Sequence, residues 1–303
     1  MAHNLHIHLH DSLRARAQAG EVPLFTHLAA SLPGWRLHFQ PDTPLARLKT
    51  RLRGGYGLFH MQPLPAGGRI LCLRRAYIYP FWRIERTHLR WEFDAARMAF
   101  EPASFDPDPA ARFVARWRPK LLGDRPITRA GFILIPLQGH LQTARSFQSM
   151  SPLHMIEETL TRDPRPVIAT LHPNQRYSDA DRRALAQMTE RFPRFSLSPK
   201  TSADLLAACD LVVTQNSSVA LTGFFAAKPA ILFGQSDFHH IAASIPRDGL
   251  EAAFARPAPT LDVFDRYLHW FFTQTAINAG APDAPARLNA RLRALGWPAP
   301  TVP

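Results

Sequence analysis

The sequence predicts an α/β protein built on parallel sheets and divided into two domains. Three observations carry that expectation. Cys209 to Gly234, CDLVVTQNSSVALTGFFAAKPAILFG, reads as strand, sharp turn, helix and strand, one βαβ unit. Gly131 to Leu137, GFILIPL, is a fully apolar strand of the kind that helices cover on both faces. At 303 residues the chain is long enough for two cores. The expected domains are 1–124 and 125–303, divided in the polar, proline-containing stretch Gly123 to Arg129, with the final helices able to pack back on the first domain.

Along the first half, Leu5 to Leu9 reads as a strand. His6, His8 and His10 alternate and would share one of its faces. With His3 they resemble a metal cluster, but no Cys or carboxylate stands at ligand spacing, so no metal site is expected. Leu24 to Leu32 has a helical pattern ended by Pro33-Gly34, and Trp35 to Phe39 is a second strand. Pro44 to Arg53 reads as a basic helix. Leu58 to Met61 and Arg69 to Leu73 read as strands joined by the Pro/Gly connection PLPAGG. Arg74 to Phe93 interleaves arginines with aromatics. Such a segment can stack bases, but no nucleic-acid motif accompanies it, and arginine stems lying over an aromatic core are the favoured reading. Ala110 to Leu122 is an amphipathic basic helix.

In the second half, the apolar strand runs into a polar loop, Gln138 to Ser149. Pro152 to Thr161 is a helix whose Glu157-Glu158 pair reads as a solvated face. Pro166 to Leu171 is a strand ending at His172-Pro173-Asn174. Ser178 to Phe192 is a helix with Ser178 as cap, and Asp179 and Asp181 suit its first turn better than a metal-binding DxD. Phe195 to Leu197 is a short strand, and Thr201 or Ser202 caps a helix over Ala203 to Ala208. In the central unit, Leu211 to Thr214 is a strand, Gln215 to Ser218 an elbow, Val219 to Ala227 a helix and Ala230 to Phe233 a strand. A long aromatic helix is expected over 261–280 and a basic one over Pro285 to Leu295.

Composition narrows the class. Hydrophobic residues make up 46% of the chain, enough for a sizeable core. No apolar run reaches transmembrane length, and the N-terminus lacks the pattern of a secretory signal, so a cytoplasmic location is expected. Cys72 and Cys209 then read as reduced, buried thiols. The net charge of +12 is uneven: residues 1–124 hold 18 Lys+Arg against 10 Asp+Glu, and the remainder 18 against 14. That suits an anionic partner of the first half, though arginine outnumbers lysine 32 to 4, which GC-rich coding alone would also produce.

The chemistry-bearing residues form three polar clusters, each following an apolar strand: Gln138 to Ser149, His172-Pro173-Asn174, and Asn216-Ser217-Ser218. In a parallel sheet all three fall at the carboxyl edge, where open α/β folds bind ligands. Asn216, Ser217 and Ser218 stand at a helix start, where backbone N–H groups and hydroxyls suit a phosphate; equally, Ser217 could simply cap the helix. His172, at a strand end, could donate a hydrogen bond or a proton to a leaving group.

The run ILIPLQ…SFQSM…MIEETL…HPNQ…DLLAACDLVVTQNSSVALTGFFAAKPAILFG, within residues 131–243, resembles the bacterial capsule polysaccharide synthesis proteins, which include β-Kdo transferases. The resemblance implies a GT-B-like fold, two Rossmann-like domains facing a cleft. It also implies a CMP-activated sugar, Kdo-like and acidic, as donor on the second domain and an acceptor on the first. The basic charge of the first half suits an anionic glycan or lipid acceptor. No cofactor or metal is expected, since Ser hydroxyls, helix dipole and His can stabilise the departing phosphate. By motif position, His172 would meet the phosphate or leaving group. Asn216, Ser217 and Ser218 would hold the CMP phosphate beside Pro173 and Asn174, and Gln138 would line the sugar pocket. Related transferases carry an aspartate about four residues after that glutamine; here the position is Gln142, which cannot ionise, with His140 nearby. Glycosyl transfer in surface-polysaccharide assembly is therefore the expected function, with electrostatic contact at the inner membrane and no nucleic acid partner. The alternatives are a UDP-sugar epimerase on the same fold and a binding module that has lost catalysis.

Overall fold

The computed structural model describes residues 3–65 and 68–298. Contacts divide the chain into two units, Met1–Met98 with Phe271–Pro303, and Ala99–Trp270.

The first unit begins with β1 (Asn4–Leu9), α1 (Asp11–Gln18), α2 (Pro23–Ser31), β2 (Arg36–Pro41), α3 (Pro44–Leu52), β3 (Tyr56–His60), β4 (Ile70–Arg75), β5 (Phe81–Glu85) and the short α4 (Asp94–Arg97). The second unit contains α5 (Pro107–Leu122), β6 (Ile133–Leu137), α6 (Pro152–Arg162), β7 (Val167–Leu171), α7 (Asp179–Arg191), β8 (Phe195–Ser198) and α8 (Ser202–Leu206). It continues through β9 (Leu211–Thr214), α9 (Ser218–Phe224), β10 (Ala230–Leu232), β11 (Ala243–Ser244), α10 (Ile245–Asp248), α11 (Leu250–Ala255) and α12 (Leu261–Thr273), whose last three residues fall in the first unit. The chain then returns to the first unit with β12 (Ile277–Asn278) and α13 (Ala284–Ala294).

The first sheet has the order β12-β5-β4-β3-β1-β2. Strands β2, β1, β3 and β4 are parallel, and β5 and β12 extend the sheet as antiparallel neighbours. Leu5, Ile7 and Leu9 turn one face of β1 into the core that α2 and α13 cover with Leu24, Leu28, Leu288 and Leu292. The second sheet, β11-β10-β9-β6-β7-β8, is parallel throughout. Its central strand β6 is buried at every position, as its unbroken apolar sequence predicts. The α/β class with two parallel-based sheets is thus the observed one.

Several local readings are revised. The units part after Met98 rather than at 124, because α5 belongs with the second: Arg118 Nε donates to Phe225 O at 2.6 Å. The segment 74–93 holds a strand, β5, and Arg83 is buried in it rather than reaching to water. Its guanidinium stacks 4.1 Å from the Phe271 ring and donates to Thr275 O at 3.0 Å and Thr275 Oγ1 at 2.8 Å. The helix read over 261–280 stops at Thr273, since Ile277 and Asn278 are taken up as a strand opposite Trp82 and Phe81. Helix α9 ends at Phe224, shorter than the 219–227 read from sequence. Helix α1 was not legible; His10 Nδ1 caps it by accepting the Leu13 amide. Of the other histidines, His8 is buried with Nε2 2.9 Å from Thr50 Oγ1, and His6 stacks on His38. Part of the PLPAGG connection, Ala66-Gly67, lies outside the described residues.

Candidate functional site

In the second sheet β6 lies between β9 and β7, and all three run parallel. Their carboxyl ends therefore share one edge, with Gln138, His172 and the elbow 215–218 emerging there. The elbow and His172 are separated by two strand spacings of about 4.8 Å, roughly 10 Å in all. That span is on the scale of a sugar phosphate.

The elbow is held from inside. Thr214 Oγ1 accepts the Ser217 amide at 3.4 Å, and Asn216 Nδ2 donates to Gln235 O at 3.1 Å. Ser217 is the N-cap of α9, its Oγ accepting the Val219 amide at 3.3 Å. Asn216 and Ser217 are buried, whereas Ser218 is exposed. The capping reading of Ser217 thus holds, and Ser218 is the hydroxyl turned outward. Gly234 closes the other side: a Cβ there would come within 3.1 Å of both Gln215 O and the Phe147 ring, so only glycine lets these backbones meet.

His172 is exposed and oriented by its own turn. The Asn174 amide donates to His172 Nδ1 at 3.1 Å, so Nδ1 is the acceptor and the neutral ring carries its proton on Nε2. The His172 amide donates to Tyr177 Oη at 2.9 Å, and that hydroxyl donates to Leu137 O at 3.1 Å, joining the ends of β7 and β6. Pro173 and Asn174 are exposed beside it.

The loop after β6 divides into two parts. Gln138 is half-buried at the strand end, and His140 is exposed in the left-handed region, φ 63°. Gln142 is exposed, and its side-chain amide is among the groups that hold the Asp181 carboxyl below its ordinary pKa. Burial pushes the Asp181 pKa up, but hydrogen bonds from Ser178, the Leu141 amide and Gln142 outweigh it and leave the group below its ordinary value. Asp181 also completes the capping box of α7 with Ser178.

The second part of the loop carries a residue that the sequence reading passed over. The stretch around Phe147 to Ser149 is stitched to the end of β10, with Gln235 N donating to Phe147 O and Ser149 N to Phe233 O, both at 2.8 Å. Beside this stitch, Arg145 Nε and Nη2, Gln148 Nε2 and Gln215 Oε1 are buried without a hydrogen-bond partner. The Arg145 guanidinium lies 4.9 Å from the Phe147 ring centroid, has no carboxylate partner among the described residues, and has its pKa lowered by burial. A half-buried cation with two buried nitrogens lacking an acceptor is a feature that an anionic ligand satisfies. One sequence signal could have found it: no Asp or Glu occurs between Asp124 and Glu157, so Arg145 has no local acid.

The edge thus offers an outward hydroxyl, a neutral N–H donor and an unpaired guanidinium, a set suited to a phosphoryl group. No protein-family model matches the chain, and no curated protein matches it. Among solved structures, the β-Kdo 2,7 transferase of Thermosulfurimonas dismutans KpsC is similar with a TM-score of 0.54 at 12% identity, covering 95% of this chain and 99% of that one. The chain has a GT-B-type fold. The β-Kdo 2,4 transferase of the same KpsC gives a TM-score of 0.47 at 14% identity, covering 93% of this chain and 97% of that one. At such identities the likeness concerns the GT-B-type fold, and the site rests on the residues described above. Among the described residues, no helix is long and apolar enough to cross a membrane.

Proposed function

We propose that this protein is a glycosyltransferase of bacterial capsule or surface-polysaccharide assembly. It moves a CMP-activated acidic sugar, Kdo-like in kind, onto an anionic glycan or lipid acceptor held by the basic first half. The observation that carries the reading is the shared edge. His172 with its Nε2–H outward and the elbow with Ser218 outward stand at the ends of two strands that flank β6. The fold's likeness to a β-Kdo 2,7 transferase supports the donor class.

In this reading Ser218 and Arg145 hold the CMP phosphate, and His172 Nε2–H donates to the same phosphate as the anomeric C–O bond breaks and charge builds on the leaving group. An acceptor hydroxyl forms the new glycosidic bond and its proton leaves to solvent. In this reading Gln142 plays no nucleophilic part, because an amide cannot ionise, and the nearby Asp181 carboxylate is taken up by the α7 cap. The test is calorimetric titration of CMP against wild type and a Ser217→Ala/Ser218→Ala variant, with thermal shifts for CMP and UDP in parallel. Weaker CMP binding in the variant and preferential stabilisation by CMP are expected. Unchanged CMP affinity would remove the phosphate assignment, and preference for UDP would favour an epimerase.

A further inference from the structure

The first sheet has a carboxyl edge of its own. β1, β3 and β4 run parallel, so His10, His60 and Arg75 emerge together at their ends. With Ser12, Arg16 and Trp82 they line a cavity of about 200 Å³ that no carboxylate borders. Arg16 is held at 3.3 Å by Glu21 at the exposed surface, while Arg75 has no carboxylate partner among the described residues. His10 Nδ1 accepts the Leu13 amide and lies 3.1 Å from Ser12 Oγ, which leaves the ring proton on Nε2. Trp82 faces Arg75 across the β4–β5 ladder, is 3% exposed, and its indole N–H has no acceptor. It also borders a second cavity, beside Glu85.

Buried indole N–H groups normally find a partner. Here one such donor accompanies an unpaired guanidinium, a second arginine and imidazole N–H groups around an acid-free cavity. We propose that this cavity binds the phosphate or carboxylate of an anionic glycan, with Arg75 and Arg16 supplying charge and Trp82 and His10 supplying N–H donors. His60 agrees with it. Burial first, then the charges of His10, Arg74 and Arg75, push its pKa down to about 4, with Asp42 opposing. Burial is the larger cause; the arginine charges that add to it are the ones that would also attract an anion. The cavity is smaller than the about 300–1,000 Å³ that enclose a drug-sized ligand, so it takes one anionic group and leaves the rest of the glycan outside. The site lies in the first unit; its assignment to a glycan rests on the acceptor reading proposed above, whereas anion binding itself does not depend on the donor reading for the second unit.

The experiment follows the Trp82 indole N–H signal by NMR in the full chain. Inorganic phosphate and glucuronate are titrated separately at constant ionic strength, with glucose as the neutral control. A saturable shift with an anion and none with glucose is expected, and Arg75→Ala should weaken the binding about tenfold or more. Tighter phosphate binding assigns a phosphorylated glycan, and tighter glucuronate binding an acidic sugar. Arg75 is exposed, so an unchanged melting temperature and unchanged CMP titration will show that the variant is folded. Absence of a shift with both anions, or a shift that survives Arg75→Ala, would overturn the proposal.

Discussion

Tyr177 holds His172 by its backbone: the phenol oxygen accepts the His172 amide at 2.9 Å while its own proton goes to Leu137 O at 3.1 Å. One side chain from the loop after β7 therefore fixes the ends of two neighbouring strands. Burial raises the Tyr177 pKa, which keeps the donor protonated well above neutral pH. Tyr177→Phe removes both bonds and should lower stability by about 1 kcal/mol, read from urea unfolding. If the clamp sets the imidazole's position, turnover falls further than CMP affinity does. Wild-type turnover in this variant would show that the turn holds His172 without help.

Gln142 is near enough to Asp181 to help hold its carboxyl pKa down, and that proximity bears on what a carboxylate would do there. Gln142→Asp loses the amide donor and sets two carboxylates against each other at the start of α7. Asp181 has a depressed pKa, so its stabilising contribution is present above the ordinary carboxylate pKa and is lost as pH falls through the lower folded value. In the variant, repulsion raises that value. The loss of stability should therefore be largest near pH 7, at about 1–3 kcal/mol, and shrink toward pH 4, where one group takes up a proton. Turnover should not rise. A gain in activity would mean that the position can serve as a nucleophile.

What was legible in the sequence divides along physical lines. The second sheet could be read because each buried parallel strand is a continuous apolar run, as in Ile133–Leu137 and Leu211–Thr214, and the start of α7 because Ser178 and Asp181 are themselves the cap. Strand β5 was hidden because Arg83 within it is satisfied by residues 192 positions away, a pairing no local pattern announces. The same distance effect hid the return of the chain into the first sheet at Ile277. At the candidate site, the three clusters could be placed on one edge from strand order alone. Which side chains turn outward could not: Ser217 and Ser218 are adjacent and alike, yet one is buried in the cap and the other exposed. Arg145 was missed because its significance lies in lacking a partner, which only the packed structure reveals.

Glu85 gives the first unit a stability that depends on pH. Its carboxylate is buried and meets Arg291 at 2.7 Å, with Arg83 and Asp94 also near. Burial pushes its pKa up to about 7, Arg291 pulls it back in part, and Asp94 adds to the rise. In the unfolded chain the value is near 4.3. Between these limits the folded protein binds a proton that the unfolded chain does not, so stability falls as pH rises from about 4.5 to 7. Glu85→Gln cannot titrate and keeps an oxygen for Arg291. Wild type should lose up to about 3 kcal/mol relative to the variant between pH 4 and pH 8, measured by urea unfolding. A difference that does not change with pH would mean that Arg291 keeps the carboxylate ionised throughout.

Arg145 should show opposite effects on stability and on binding. Two of its nitrogens are buried without an acceptor and its charge has no carboxylate partner, so the unliganded protein bears a desolvation penalty at this position. Arg145→Met keeps an unbranched side chain and removes the charge that lies over the Phe147 ring. The unliganded variant should be as stable as wild type or more stable, by up to about 2 kcal/mol. If the guanidinium meets the phosphate of CMP, the variant should bind CMP about tenfold more weakly while its affinity for cytidine, which lacks the phosphate, stays the same. The quantity to measure is the ratio of CMP to cytidine affinity in wild type and variant by calorimetry. A structural arginine would give the reverse pattern, with lower stability and an unchanged ratio. An unchanged ratio would detach Arg145 from the donor site, whatever the variant did to the melting temperature.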